Sequence, residues 1–326
     1  MKKNIAVVGC GYWGKNLVRN FSELGALYSV SDVNIETAKN YANQYQVKYL
    51  KFDEIINDVN IKGIVLTVPA KYHASMAIEA MKKGKHIFVE KPLALNEIDA
   101  KLMVETSKKN NVKFMVGHLL HYHPIFKEIK KRVNDGQIGK LEYIQSSRLS
   151  FGRYRSEEDI IWSFAPHDIS MILKLANEKP NIIRCNTKSI IKENHADIAN
   201  ICMEFPSGLK SNVSVSWINP NKEVKLVLTG SLAMLIFDDT KPWDEKLSLY
   251  SYDIKRTDNL ININKSSLKF VEVPEEEPLK NECKHFIDVI KLNTQPLTDG
   301  NEGLEVVEVL SSASKFENKN SRTDHE

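Results

Sequence analysis

Cysteine is scarce in this chain of 326 residues: only Cys10, Cys185, Cys202 and Cys283 occur, far apart and never in a C-x-x-C spacing. That excludes a disulfide framework and a thiolate zinc site, and leaves the four as buried thiols. Long apolar runs are missing too. No stretch reaches the roughly 18 apolar residues that a membrane span needs, and two lysines lead straight into "NIAVVGCGYWG" without the apolar segment of a secretory leader. The expectation is a cytoplasmic protein with no membrane partner. Nor does charge of one sign dominate: the formal net charge is +3 and the basic residues are scattered, so no positive stripe is available to a nucleic acid. With 42% hydrophobic and 27% charged residues the chain has an ordinary globular composition, and its length favours two domains.

What is present begins at the N-terminus. The apolar run "IAVV" is followed at once by Gly9, Gly11 and Gly14 in a G-x-G-x-x-G spacing, and then by a helix-periodic "KNLVRNFSEL". Strand, tight turn and helix in this order suit a dinucleotide. One glycine makes the turn, one lets the backbone approach a pyrophosphate, and one allows the helix to pack closely on the strand. A second apolar run, "ALYSVSD", ends in Asp32, 18 residues past Gly14, where a carboxylate would grip the adenosine ribose and favour NAD over NADP. The alternative is that Asp32 caps the next helix, "NIETAKNYANQY".

Further strands, "IKGIVLTVP" ending at Pro69, "HIFVEKP" and "VKFMVGH", alternate with helices such as "HASMAIEAMKKG". This predicts a doubly wound parallel sheet with right-handed crossovers, and ligands in such sheets lie beyond the carboxyl ends of the strands. Lys91, in "EKP" between Glu90 and Pro92, falls at that edge. It is either a surface lysine ending a strand or a group that orients a substrate. In "HLLHYHP", strand geometry would separate His118 from His121 and His123, and no further ligand type completes a set. The reading is therefore no metal, with these histidines lining a cleft.

After "HPIFKEIKKRVNDGQIG" the pattern changes to "KLEYIQSSRLSF", "PNIIRCNTKSII", "DIANICMEF", "KSNVSVSWI", "EVKLVLTGS", "LAMLIFDD", "KLSLYSYDI" and "LKFVEVP". Short connections predict a mostly antiparallel sheet with helices on one face. Apolar residues at both alternating positions of several strands suggest that the other face is covered in an oligomer. Three segments keep a helical period: "EEDIIWSFAPHDISMILKLANE", "PLKNECKHFIDVIKLN" and "NEGLEVVEVLSSASKF". The first contains His167, which either packs in the core or takes the proton from an alcohol as it is oxidised. The expected fold is α/β, with a Rossmann domain over 1–120, a second α/β domain with a large open sheet over 121–316, and a flexible tail over 317–326.

The stretches "VVGCGYWGKN", "VPAKYHASMAIEAMKKGKHIFVEKPLAL", "WSFAPHDISMI" and "EPLKNECKHFIDVI" together resemble the glucose-fructose oxidoreductase and inositol dehydrogenase (Gfo/Idh/MocA) family, in the right order along nearly the whole chain. The resemblance implies NAD(P)-dependent oxidation or reduction of a sugar, polyol or nucleotide sugar, and assembly into dimers or tetramers through the C-terminal sheet. It matches the family's lysine to Lys91 and its histidine to His167, and implies cofactor contacts at Tyr12, Trp13, Pro69, His73, Glu90 and Lys91 besides the glycines and Asp32. "GYWGKN", "SRLSFGRYRSEEDIIW" and "APHDIS" look most like the branch that oxidises UDP-N-acetylglucosaminuronate at C3 in surface-polysaccharide biosynthesis. A free sugar or inositol is the alternative substrate, and a non-catalytic NAD-binding sensor is the alternative function.

One position departs from that pattern. The family usually has an aspartate four residues before the histidine, and here Ser163 stands there. It shares a helix face with His167 and could still bond a substrate hydroxyl, but it carries no charge. Either water or Asp168 would then support the histidine, or the substrate differs from that of the better-known branch. Arg153, Tyr154 and Arg155 form a cationic and aromatic cluster that suits a diphosphate or a sugar carboxylate, or else a solvated turn. Tyr122 is a further candidate for lining the cleft.

Overall fold

A computed structural model describes residues 3–152, 154–257, 260–265 and 268–320. Arg153 and the last six positions of the expected tail lie outside the described residues. The first sheet is formed by β1 (Ile5–Val8), β2 (Leu27–Ser31), β3 (Lys48–Tyr49), β4 (Gly63–Leu66), β5 (His86–Glu90) and β6 (Phe114–Gly117). Its order, β3-β2-β1-β4-β5-β6 with every pairing parallel, is that of a Rossmann fold, and the order reverses between β1 and β4. Helices α1 (Gly14–Glu23), α2 (Ile35–Tyr45), α3 (Phe52–Asn57), α4 (His73–Lys82) and α5 (Glu97–Lys109) alternate with the strands. Every residue of β1, β4 and β6 is buried, as parallel strands covered on both faces require. Asparagines start two of the helices, the Asn34 side chain accepting from Thr37 N at 3.1 Å and that of Asn96 from Asp99 N at 2.8 Å.

The second half contains α6 (Pro124–Asn134), β7 (Leu141–Phe151), α7 (Ile160–Ala176), β8 (Ile182–Lys188), β9 (Ile198–Glu204), β10 (Lys210–Ser216), β11 (Ile218–Gly230), β12 (Ala233–Asp238), β13 (Leu247–Thr257), β14 (Leu260–Lys265) and β15 (Lys269–Phe270), then α8 (Pro278–Leu292) and α9 (Gly300–Asn320). The nine-stranded sheet runs β14-β13-β12-β11-β7-β10-β9-β8, with β15 beside β13. It is antiparallel except where β7 meets β10. Helix α7 packs on β7, β9 and β10, over a face where Ile201 pairs with Val213 and Leu228 with Leu235, all buried. The opposite face mixes Val227 and Ile236 with Asn200, Asn212 and Ser214. Cys202 is on that face and exposed, so only three of the four thiols are buried. Among the described residues, no helix is long and apolar enough to cross a membrane.

The chain divides into two compact units, 1–122 with 277–308, and 123–276 with the residues from Val309 on. This corrects the expected contiguous second domain, because α8 belongs to the first unit. Its Leu279, Cys283 and Phe286 are buried in the same cluster as Phe21 and Phe88, and the Phe88 and Phe286 rings meet edge to face at 5.6 Å. The expected tail is also shorter than predicted, since α9 runs through residues 317–320 to Asn320.

Candidate active site

The glycine turn follows β1 and leads into α1. Gly9 has φ +97, and a Cβ there would stand 2.8 Å from the Thr67 backbone. At Gly14 a Cβ would stand 2.0 Å from the Gly9 carbonyl oxygen, so helix and turn touch backbone to backbone. Gly11 differs. A Cβ there meets nothing within 4 Å, and Gly11 lines a cavity of about 640 Å³ with Gly9, Asp32, Thr67 and Pro69. The bare backbone at Gly11 thus borders open space at the carboxyl ends of β1, β2 and β4. No side chain caps α1 and its first turn holds no acid, which leaves the positive end of the helix available to an anion. An NAD diphosphate fits this cradle.

Asp32 lines the same cavity. Its Oδ2 accepts the Cys10 N–H at 2.6 Å and its Oδ1 the Asn34 N–H at 2.8 Å. The cap of α2 is Asn34, so Asp32 is held beside the turn by these two N–H groups and does not act as the helix cap. Burial, and then the Asp32 charge, push the Cys10 thiol up to about 12, which leaves it a poor nucleophile. Thr67, which sequence reasoning passed over, donates its hydroxyl to the Gly9 carbonyl. Its position at the end of β4 in "VLTVP" was the available signal.

Glu90 and Lys91 leave the carboxyl end of β5. The Glu90 carboxyl is buried and accepts the Trp13 indole N–H at 2.6 Å and the Lys91 backbone N–H at 3.3 Å. Gly117 is its floor, because a Cβ there would lie 2.9 Å from the carboxylate. Burial pushes this carboxyl above its ordinary value, although Trp13 and the Lys91 ammonium oppose the shift. Lys91 is half-buried and Tyr12 is exposed, with the Lys15 ammonium 5.4 Å from the Tyr12 ring centre.

Several expected site residues have other tasks. His73 is buried, with ring nitrogens 2.9 Å from the Pro92 and Val68 carbonyl oxygens, so it ties the loop after β4 to the one after β5 and is closed to a cofactor. Tyr122 is a core residue, 2% exposed, whose hydroxyl meets Thr298 Oγ1 at 3.0 Å. It does not line a cleft. Residues 119–122 form a 3-10 turn, not a strand, so His118 and His121 come to the same side. Both are buried beside Glu302 of α9, at 2.6 Å for His118 and 3.7 Å for His121. His123 packs on Trp243 and Phe237, and burial holds it down at about 4, hence neutral.

In the second unit, Asp159 caps α7, accepting from Trp162 N at 3.2 Å. The helix runs on through Pro166, whose missing N–H leaves the Trp162 carbonyl without its helical donor just before His167. His167 is half-buried and Ser163, one turn earlier, is 1% exposed. The Ser163 side chain is thus buried, on the helix turn before the histidine. Asp168 is committed elsewhere. It takes Arg148 on both oxygens, Nε to Oδ2 at 2.7 Å and Nη2 to Oδ1 at 3.3 Å, and Ser146 Oγ at 2.6 Å. It therefore fastens α7 to β7, contrary to the expectation of a substrate contact or a partner for His167. Tyr154 rests 5.3 Å from the His195 ring and 5.4 Å from Trp217. Arg155 pairs with Glu158 at 2.5 Å, and its carbonyl is 2.7 Å from His195 Nε2.

Residues 3–118 match the oxidoreductase family with an NAD-binding Rossmann fold, GFO_IDH_MocA, and residues 126–236 match the GFO/IDH/MocA C-terminal domain. The chain belongs to this family. It is an oxidoreductase with an NAD cofactor. It is similar to UDP-N-acetylglucosamine 3-dehydrogenase of Acidithiobacillus ferrooxidans, 22% identical over 305 residues, which cover 92% of this chain and 93% of the relative. The solved structure of that enzyme superposes with a TM-score of 0.85 at 19% identity, over 97% of this chain and 98% of the other. The scyllo-inositol 2-dehydrogenase (NAD(+)) of Bacillus subtilis is 28% identical over 232 residues, 66% of this chain and 67% of the relative.

Proposed function

We propose that this enzyme oxidises a ring alcohol of a nucleotide sugar, with C3 of a UDP-N-acetyl sugar or its uronate as the site of reaction. The observation that carries this reading is the position of Lys91 beside buried Glu90, at the carboxyl end of β5 in an NAD-binding unit. Bound NAD supplies a hydride acceptor. The glycine turn and the start of α1 hold its diphosphate, and Asp32 accepts from the ribose hydroxyls. Lys91 donates to the reacting oxygen and stabilises the charge that develops there, while His167 takes the hydroxyl proton as general base. Tyr154 contacts the nucleotide-sugar moiety. The near-complete coverage of the UDP-sugar relative supports this substrate class.

A free sugar or inositol is the second reading, favoured by the higher identity of the inositol relative over its shorter match. The non-catalytic sensor is favoured only by Ser163. The setting we propose is cytoplasmic, in surface-polysaccharide synthesis, with a homodimer or homotetramer formed through the open face of the nine-stranded sheet. Turnover with UDP-N-acetylglucosamine, its uronate and myo-inositol, each with NAD, separates the readings. NADH formed from a UDP-sugar alone supports the first, NADH from inositol alone the second, and binding of NAD without turnover the sensor.

A further inference from the structure

Helix α8 buries an acid that the proposed mechanism does not use. Glu282 is 0% exposed, and neither carboxyl oxygen has a hydrogen-bond partner. A bare carboxylate in such a place is strongly disfavoured against its protonated form. Glu90 is close enough for its charge to act on Glu282, and the two acids differ in what they can receive. Glu90 has the Trp13 and Lys91 N–H groups, and Glu282 has no donor. We propose that Glu282 is a neutral carboxylic acid in the folded protein, so that the Glu90–Glu282 pair holds one negative charge, kept on Glu90 beside Lys91.

Burial, and then the Glu90 charge, move Glu282 well above the usual carboxylate range. Lys91 and His118 act on Glu90, while Tyr122 from the 3-10 turn and Cys283 from α8 lie within reach of the charge that an ionised Glu282 would carry. Arg19 of α1 spends its guanidinium on Glu23 and Glu277, so its charge is already committed to those two carboxylates. Glu282 is thereby a positioning residue. By remaining neutral it leaves the charge of the pair on Glu90, beside Lys91.

The test follows from linkage. An unfolded glutamate ionises near pH ~4.3, whereas folded Glu282 keeps its proton above that pH. Wild-type stability is therefore lost as pH rises from there toward the folded pKa. Glu282→Gln cannot release that proton, so the difference in Tm, variant minus wild type, grows by a few degrees between about pH 4.5 and about pH 7.5. A difference that is flat or shrinks over that window overturns the proposal. Infrared spectra supply a second readout that does not need a stable variant. At neutral pH the wild type shows the C=O stretch of a buried protonated carboxyl, retained in Glu90→Gln and absent in Glu282→Gln. No such band, or one lost in Glu90→Gln and kept in Glu282→Gln, overturns it as well. The role for Lys91 rests on the proposed catalysis, but neither measurement involves turnover, so the two ideas fail separately.

Discussion

At the scale of single residues the glycine turn separates structural from ligand-related demands. Gly14 is required by the protein itself, because a Cβ there would overlap the Gly9 carbonyl. Gly11 has room for a methyl group and needs its bare backbone only if something approaches it. Gly11→Ala is thus expected to leave stability within about 0.5 kcal/mol while weakening NAD roughly tenfold, about 1.4 kcal/mol. Thermal melts and calorimetric titration measure the two numbers. Unaltered NAD affinity would remove the diphosphate from this cradle. Lys91 and His167 carry predictions of another kind: Lys91→Met and His167→Asn should each cost about 10²-fold or more in turnover while leaving the NAD dissociation constant within a few-fold.

At the scale of elements, α7 presents His167 only if it is fixed to its sheet, and Asp168 does the fixing through Arg148 and Ser146. Asp168→Asn leaves the half-buried Arg148 guanidinium facing a neutral amide. The expected loss is about 3 kcal/mol of stability, seen as a lower urea midpoint with little change in slope. A variant as stable as the wild type would show that α7 is held by its apolar face alone. The elements also show which parts of the fold were legible from sequence. Five of the six Rossmann strands were readable as largely apolar runs because both their faces are covered, the two-residue β3 was too short to show one, and α7 was readable from its period. The strand β14, "LININK", was missed although the "TDN" ahead of it is a turn-type cluster. The tasks of His73, Tyr122 and Asp168 were hidden because each depends on a partner distant in sequence, respectively Pro92, Thr298 and Arg148. Adjacent residues of a helix point about 100° apart, so "HD" gives one residue to the sheet and leaves the other facing elsewhere. That division cannot be read from two letters.

At the scale of the whole molecule, the chain completes its first unit with residues more than 150 positions later. Phe286 of α8 closes the core over Phe21 and Phe88. Truncating it to alanine is expected to cost about 3–5 kcal/mol, measured by chemical denaturation. A loss below about 1 kcal/mol would mean that α8 is an accessory and not part of that core. The glycine turn and the strand alternation were enough to read an NAD-binding Rossmann unit, and "EKP" falls at the carboxyl end of β5. The return of α8 to the Rossmann unit was not readable, since its amphipathic period would suit either sheet.

The central claim, that Lys91 and His167 serve one hydride transfer from a nucleotide sugar to NAD, is tested most directly by single-turnover absorbance. NAD-loaded enzyme is mixed with UDP-N-acetylglucosamine or its uronate, and NADH is followed in the wild type, Lys91→Met and His167→Asn. The account predicts NADH from one of these UDP-sugars in the wild type, with both variants slowed by about 10²-fold or more. Absence of NADH with every UDP-sugar, or variants as fast as the wild type, would contradict it.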